Sequence, residues 1–179
     1  NLHTHGLHVF PGVYPDSKVA EYGDYVVDSN SGGVVPLGDS RQYVYDIPKN
    51  HPAGPFYYHP QFHGSSAIQV ASLMQGAIIA RGAVDELPDM AQATELVFLF
   101  QAPYFANDKV PDNYGVKKGS LENFAQVANY PSGYGLNNSG NGYLDAQPVL
   151  INGIRQPTIV MESGEVRRWR FINTQIFNC

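Results

Sequence analysis

The apolar residues of this chain come in short runs cut by glycine and proline, and few windows repeat with the 3.6-residue period of a helix. The strongest run, Leu-Val-Phe-Leu-Phe at 96–100, is continuous, as a strand buried in a sandwich core should be. Over 42–47, Tyr43, Tyr45 and Ile47 fall on one parity and Gln42, Val44 and Asp46 on the other, which predicts a half-buried strand. The Ala-Ile-Ile-Ala piece at 77–80 reads as a buried strand. Short strands at 149–152 and 158–161 are expected around the Asn152-Gly153 turn. Near the end, Val166, Arg168, Arg170 and Ile172 alternate with Arg167, Trp169 and Phe171, so Trp169 and Phe171 are expected to face the core and the arginines a solvated edge. With 18 glycines, 13 prolines and 12 tyrosines in 179 residues, the pattern predicts an all-β protein with many turns.

Charge narrows the partners. The net charge is −5, and no basic cluster exceeds the pairs Lys117-Lys118 and Arg167-Arg168, so a phosphate-binding surface and a nucleic-acid partner are not expected. No apolar run reaches the ~18 residues of a membrane span. The single cysteine, Cys179, leaves no internal disulfide to form. The acidic, proline-containing stretch 82–94, with Asp85, Glu86 and Asp89, reads as a connection between two domains.

Five of the six histidines fall in two groups, His3, His5 and His8, then His59 and His63; His51 stands apart in a proline-flanked loop. On an extended strand, residues i and i+2 point the same way about 6.5–7 Å apart, so His3 and His5 present two imidazoles on one face. That separation suits two neighbouring metals, or one metal if the rings converge. Neutral imidazole ligates copper, zinc, iron or nickel, and spacing alone does not choose among them. Gly6 beside the pair fits a close backbone approach or a strand bulge. His8 and His51 read as surface residues.

The segment Asn1-Leu2-His3-Thr4-His5-Gly6-Leu7-His8-Val9 resembles the first copper motif of the multicopper oxidases of laccase type. Gly54-Pro55-Phe56-Tyr57-Tyr58-His59-Pro60-Gln61-Phe62-His63-Gly64 resembles the second. Gly76-Ala77-Ile78-Ile79, Val149-Leu150-Ile151-Asn152-Gly153 and Gly164-Glu165-Val166-Arg167-Arg168-Trp169 are similar to later parts of the same family, in the same order. The resemblance implies cupredoxin-like Greek-key β-sandwiches, both incomplete: a first domain over 1–82 without its opening strands, a linker over 83–93 and a truncated second domain over 94–179. It implies that the chain is a segment of a longer protein, completed by a C-terminal cupredoxin domain.

By that resemblance, His3 would bind a type 2 copper, and His5 and His59 would bind type 3 coppers. Gln61 stands where the family's second motif has another type 3 histidine. Its amide oxygen is a harder and weaker donor than imidazole. His63 matches a further histidine of the motif and shares the parity of His59 and Gln61, so it is a candidate to swing inward. Asp16, eleven residues beyond His5, occupies the position of an acidic proton relay, while a turn-stabilising aspartate after Pro15 is the plainer reading. Tyr57 stands where the family often has tryptophan, and packing is its simplest role. Asn137-Asn138-Ser139 forms a glycosylation sequon.

The family couples oxidation of a small reducing substrate to reduction of O2 to water, and its members are mostly periplasmic or secreted. The His-Cys-His segment of its type 1 copper site has no counterpart here, since Cys179 has no histidine neighbour. The chain is thus expected to contribute half of a trinuclear copper site. Two other readings stay open: a copper-poor cupredoxin scaffold with a structural or protein-binding role, and a simple copper or zinc module built on His3, His5, His59 and His63.

Overall fold

The computed structural model describes residues 1–15, 21–26, 34–62, 65–103 and 149–175. It is predominantly β, as expected. In chain order the strands are β1 (His3–His5), β2 (Val13–Tyr14), β3 (Glu21–Tyr22), β4 (Gly54–His59), β5 (Gly76–Ala80), β6 (Thr94–Gln101), β7 (Leu150–Ile151), β8 (Ile154–Arg155) and β9 (Arg167–Asn173). Two short helices, α1 (Ser66–Ala71) and α2 (Pro88–Gln92), and a 3-10 turn (Ala83–Glu86) lie between strands.

The element that positions the site is an antiparallel sheet in the order β1-β4-β5. Its register sets His3 across from His59 and His5 across from Tyr57. A separate antiparallel pair joins β2 to β3. The third sheet runs β8-β7-β6-β9, with β6 and β9 parallel and the other pairs antiparallel. Strand β9 also touches β4, which brings the residues after β9 up to the first sheet.

Several local expectations need correction. No strand forms over 42–47. Tyr22 accepts from Val44 N–H at 2.7 Å and donates its own N–H to Gln42 at 3.2 Å, a single parallel bridge opposite Tyr43. Tyr43, Val44 and Tyr45 are all half-buried and Ile47 is exposed, so the alternation does not separate an inner from an outer face. Strand β5 is half-buried rather than fully buried, with Ala77 exposed. The hairpin partner of β7 is 154–155, not 158–161. Asn152 and Gly153 both have positive φ, 52° and 78°, the two-residue turn that returns the chain at once.

The largest correction concerns β9. Trp169 and Phe171 are 43% and 55% exposed, whereas Arg170 and Ile172 are buried at 7% and 6%. A charge reaches the inside because it arrives fully paired. Arg170 donates from Nε to Glu95 at 2.7 Å and from Nη2 to Asp85, which also receives Arg168. Arg81 adds a contact to Glu95 at 3.0 Å. The Gly82 N–H bond, then Arg168 and Arg170, hold the Asp85 carboxyl down to about 2. The 82–94 stretch therefore folds as a turn and a helix, with Asp85 tied to β9. The aromatic face survives in another sense: Phe98 stacks on Phe171 at 5.2 Å and meets Trp169 edge-on at 5.3 Å.

Candidate metal centre

Antiparallel pairing and the two-residue side-chain period place His3, His5, His59 and Tyr57 on one face of β1 and β4. The three imidazole centroids form a triangle of 5.2, 5.7 and 5.7 Å. One ring nitrogen from each lies within 4.8 Å of the other two. The rings line a cavity of about 590 Å³ together with Tyr57, Gln61, Ser66, Thr174 and Gln175. Thr174 is held there by two bonds to the Phe100 carbonyl, from its N–H at 3.1 Å and its hydroxyl at 2.9 Å.

Two of the rings have defined tautomers. His3 donates Nδ1–H to Asp24 at 2.8 Å, leaving Nε2 with a free lone pair. His59 donates Nδ1–H to the Pro60 carbonyl at 2.8 Å, which frees its Nε2 likewise. The remaining close approach is His5 Nδ1 to His59 Nε2 at 3.4 Å. Tyr57 stacks flat on His5, centroids 4.4 Å apart and planes 16° from parallel.

Asp24, which no motif or spacing marks, joins the site through the fold alone. Its carboxylate accepts from His3, from Thr4 N–H at 2.7 Å and from the Thr4 hydroxyl at 3.0 Å. Thr4 is 1% exposed, so this network underlies the centre of β1. Gly23 lets Asp24 approach: a Cβ at position 23 would stand 2.0 Å from the Phe10 carbonyl oxygen. Asp24 N–H itself donates to that oxygen at 2.8 Å.

The electrostatics favour neutral imidazoles. Burial lowers the His5 and His59 pKa values below the ordinary histidine range, and repulsion from His3 lowers both further. Burial pushes Asp24 upward, but the bonds from His3 and Thr4 outweigh it and leave the carboxyl below its usual range. The Tyr45 hydroxyl is pushed up to about 12 by burial and then by the Asp24 charge, so it stays protonated. The His3, His5 and His59 imidazoles are suited to a borderline divalent ion such as copper or zinc, and the carboxylate behind His3 is the outer support such ligands need.

The sequence candidates divide clearly. His3, His5 and His59 come together, and Gln61 lines the same cavity. The Gln61 backbone is fixed by Asn1, whose Oδ1 accepts its N–H at 2.9 Å and whose Nδ2 donates to its carbonyl. Tyr57 does more than pack, since it covers one face of His5. His63, Asp16, the sequon and Cys179 lie outside the described residues. His8 and His51 stay apart from the cluster but meet each other: His8 N–H donates to His51 Nε2 at 3.0 Å. No helix among the described residues is long and apolar enough to cross a membrane. No protein-family model matches the chain, and no curated protein matches it either.

Proposed function

We propose that the chain is the N-terminal part of a copper-dependent oxidase of the multicopper, laccase-like type, built as cupredoxin-like Greek-key sandwiches over 1–82 and 94–179 joined by 83–93. In this reading the whole protein couples one-electron oxidation of a small reducing substrate to reduction of O2 to water, in the periplasm or outside the cell. This chain supplies part of a trinuclear copper site, and a C-terminal cupredoxin domain of the same protein supplies the rest. The observation that carries the reading is the convergence of His3, His5 and His59 to within 4.8 Å, from two strands whose sequences resemble the family's copper motifs.

Copper bound there would supply reversible one-electron chemistry. The chain's own groups prepare its surroundings. Asp24 keeps the His3 proton on Nδ1, and the Pro60 carbonyl does the same for His59, so both present Nε2. Tyr57 shields one face of His5 from water. Gln61, Thr174 and Gln175 add polar side chains to the lining of the cavity that the rings share.

The test is metal analysis of the purified chain after exposure to Cu(II) and removal of excess. The expected result is bound copper that is lost in His3→Ala. Wild-type protein that is folded yet retains no copper would refute the reading. Gln61 specifically favours a second reading, a catalytically inactive cupredoxin scaffold, because a weak amide donor sits where the motif has imidazole. That reading expects no copper in the wild type and a gain in Gln61→His.

A further inference from the structure

We propose that His51 is a pH-sensitive latch on the turn that leaves β1: neutral, it holds the His8 amide and with it residues 6–10, and its protonation releases that turn together with the support it gives Asp24. The latch lies outside the cluster of His3, His5 and His59, and it works in the chain without metal.

Two turns meet at Phe56 on β4 to build it. Gly6, at a φ of 86°, bends the chain at the end of β1, and Leu7 N–H returns to the Thr4 carbonyl at 3.4 Å. A Cβ on Gly6 would stand 3.2 Å from Phe56 Cδ1, so this turn lies close against the ring. The second turn closes with His51 N–H on the Pro48 carbonyl at 2.9 Å. It sets the His51 imidazole edge-on to Phe56, centroids 5.1 Å apart. His51 then catches the first turn directly, since His8 N–H donates to its Nε2 at 3.0 Å.

The tautomer makes this bond depend on one proton. His51 Nδ1 faces the Pro52 carbonyl at 2.8 Å, and a carbonyl can only accept, so Nδ1 carries the hydrogen and Nε2 the lone pair. The His8 amide can only donate, so that lone pair is the partner it needs. Protonation puts an N–H on Nε2 as well, and two donors then face each other across the same gap. The bond is lost rather than weakened. Of the groups packed on the His51 ring, the Pro52 carbonyl and Phe56 do not titrate. The His8 ring, 5.2 Å away between centroids, adds repulsion once it is charged too. None of these partners is a carboxylate that would favour the charged form.

The chain beyond His8 carries the effect inward. Two residues on, the Phe10 carbonyl accepts Asp24 N–H, and the Gly12 carbonyl accepts Gly23 N–H, both at 2.8 Å. These bonds set the turn whose carboxylate holds Thr4 and His3. Once His8 is released, the 6–10 stretch fixes Phe10 less firmly against that turn. Neutral His51 thus steadies Asp24 from a distance, and acid removes the support over the interval in which histidine changes charge, about pH 8 to 5.

The experiment is amide hydrogen exchange read by NMR on the metal-free chain at about pH 8 and about pH 5, corrected for intrinsic exchange, in wild type, His51→Gln and His51→Ala. Glutamine sets an amide oxygen near the place of Nε2 and accepts at every pH, whereas alanine offers no acceptor. In wild type, protection of the His8 and Asp24 amides should fall at least about fivefold on acidification, the equivalent of one net hydrogen bond. His51→Gln should hold its protection within about twofold, and His51→Ala should be as open at the higher pH as wild type is at the lower. An equal loss in His51→Gln would assign the effect to the other histidines and overturn the proposal. So would His8 protection that persists in wild type with the His51 ring charged, or loss at His8 that leaves Asp24 unmoved. If His51→Gln does not fold, wild type alone decides: the loss must follow the ring signal of His51, and a loss that follows His3, His5, His8 or His59 instead overturns the latch.

Discussion

Asp24→Asn isolates how much of the proposed metal centre depends on one proton. The wild-type carboxylate accepts three hydrogen bonds, two from Thr4 on Oδ1 and one from His3 Nδ1–H on Oδ2. Asparagine can keep both Thr4 bonds through its single carbonyl oxygen. Its amide nitrogen must then face His3, and it donates rather than accepts. His3 can satisfy it only by moving its proton from Nδ1 to Nε2, which blocks the nitrogen that faces the cavity. The variant thus preserves shape and reverses one tautomer. Loss of an outer partner of a metal-binding histidine costs about 10–100-fold in affinity, or about 1.4–2.7 kcal/mol. A competition titration of Cu(II) against a chromophoric chelator reads that range directly, with circular dichroism confirming that the variant is folded. Affinity within twofold of wild type in a folded Asp24→Asn protein would refute the tautomer argument and leave Asp24 only its bonds to Thr4.

Two further outcomes follow from the same structure. The folded Asp85 carboxyl, at about 2, lies below its unfolded value near 3.9, so its contribution to stability is complete above about pH 4 and is lost as pH falls through about 2. Denaturant titrations across that window should show stability declining in the wild type and declining less in Asp85→Asn, which starts lower at neutral pH; parallel curves would contradict the assigned role. Gly23→Ala should destabilise the fold by about 1–3 kcal/mol and weaken copper binding together, because the new Cβ would stand 2.0 Å from the Phe10 carbonyl oxygen and must displace the turn carrying Asp24. Thermal melting and the chelator assay check this, and an unchanged melting point would show that the turn yields freely.

The histidine pair was legible because strand geometry is periodic: i, i+2 spacing alone puts His3 and His5 on one face. The partnership with His59 became physical only through the register of β1 against β4, which no local pattern fixes. Asp24 was illegible for a related reason. It lies 21 residues from His3, in a polar stretch between glycine and tyrosine, and its role exists only once the Gly23 turn folds back on Phe10. The resemblance points to Asp16 as the acidic partner instead. On β9 the alternation itself was visible, but its sign was reversed. Arginines usually mark the wet face, and the acids that make Arg168 and Arg170 buriable sit in the 3-10 turn and on β6.

These same facts tie the proposed metal centre to the stability of β1. The strand has only three residues, too few for its ladder to hold it firmly. Its fixings are side chains: Asp24 on Thr4 and His3, Asn1 on the Gln61 backbone, and the Tyr43 hydroxyl on Leu2 N–H at 2.9 Å. A slip of one residue between β1 and β4 would turn His3 and His5 to the opposite face and dismantle the site. Copper on His3, His5 and His59 would therefore bind only the native register. It would stabilise that register by an amount growing with the logarithm of free metal over its dissociation constant. The register that creates the site is thus the property the bound ion would secure, and the melting point of the chain should rise with Cu(II) concentration only while both strands keep their histidines.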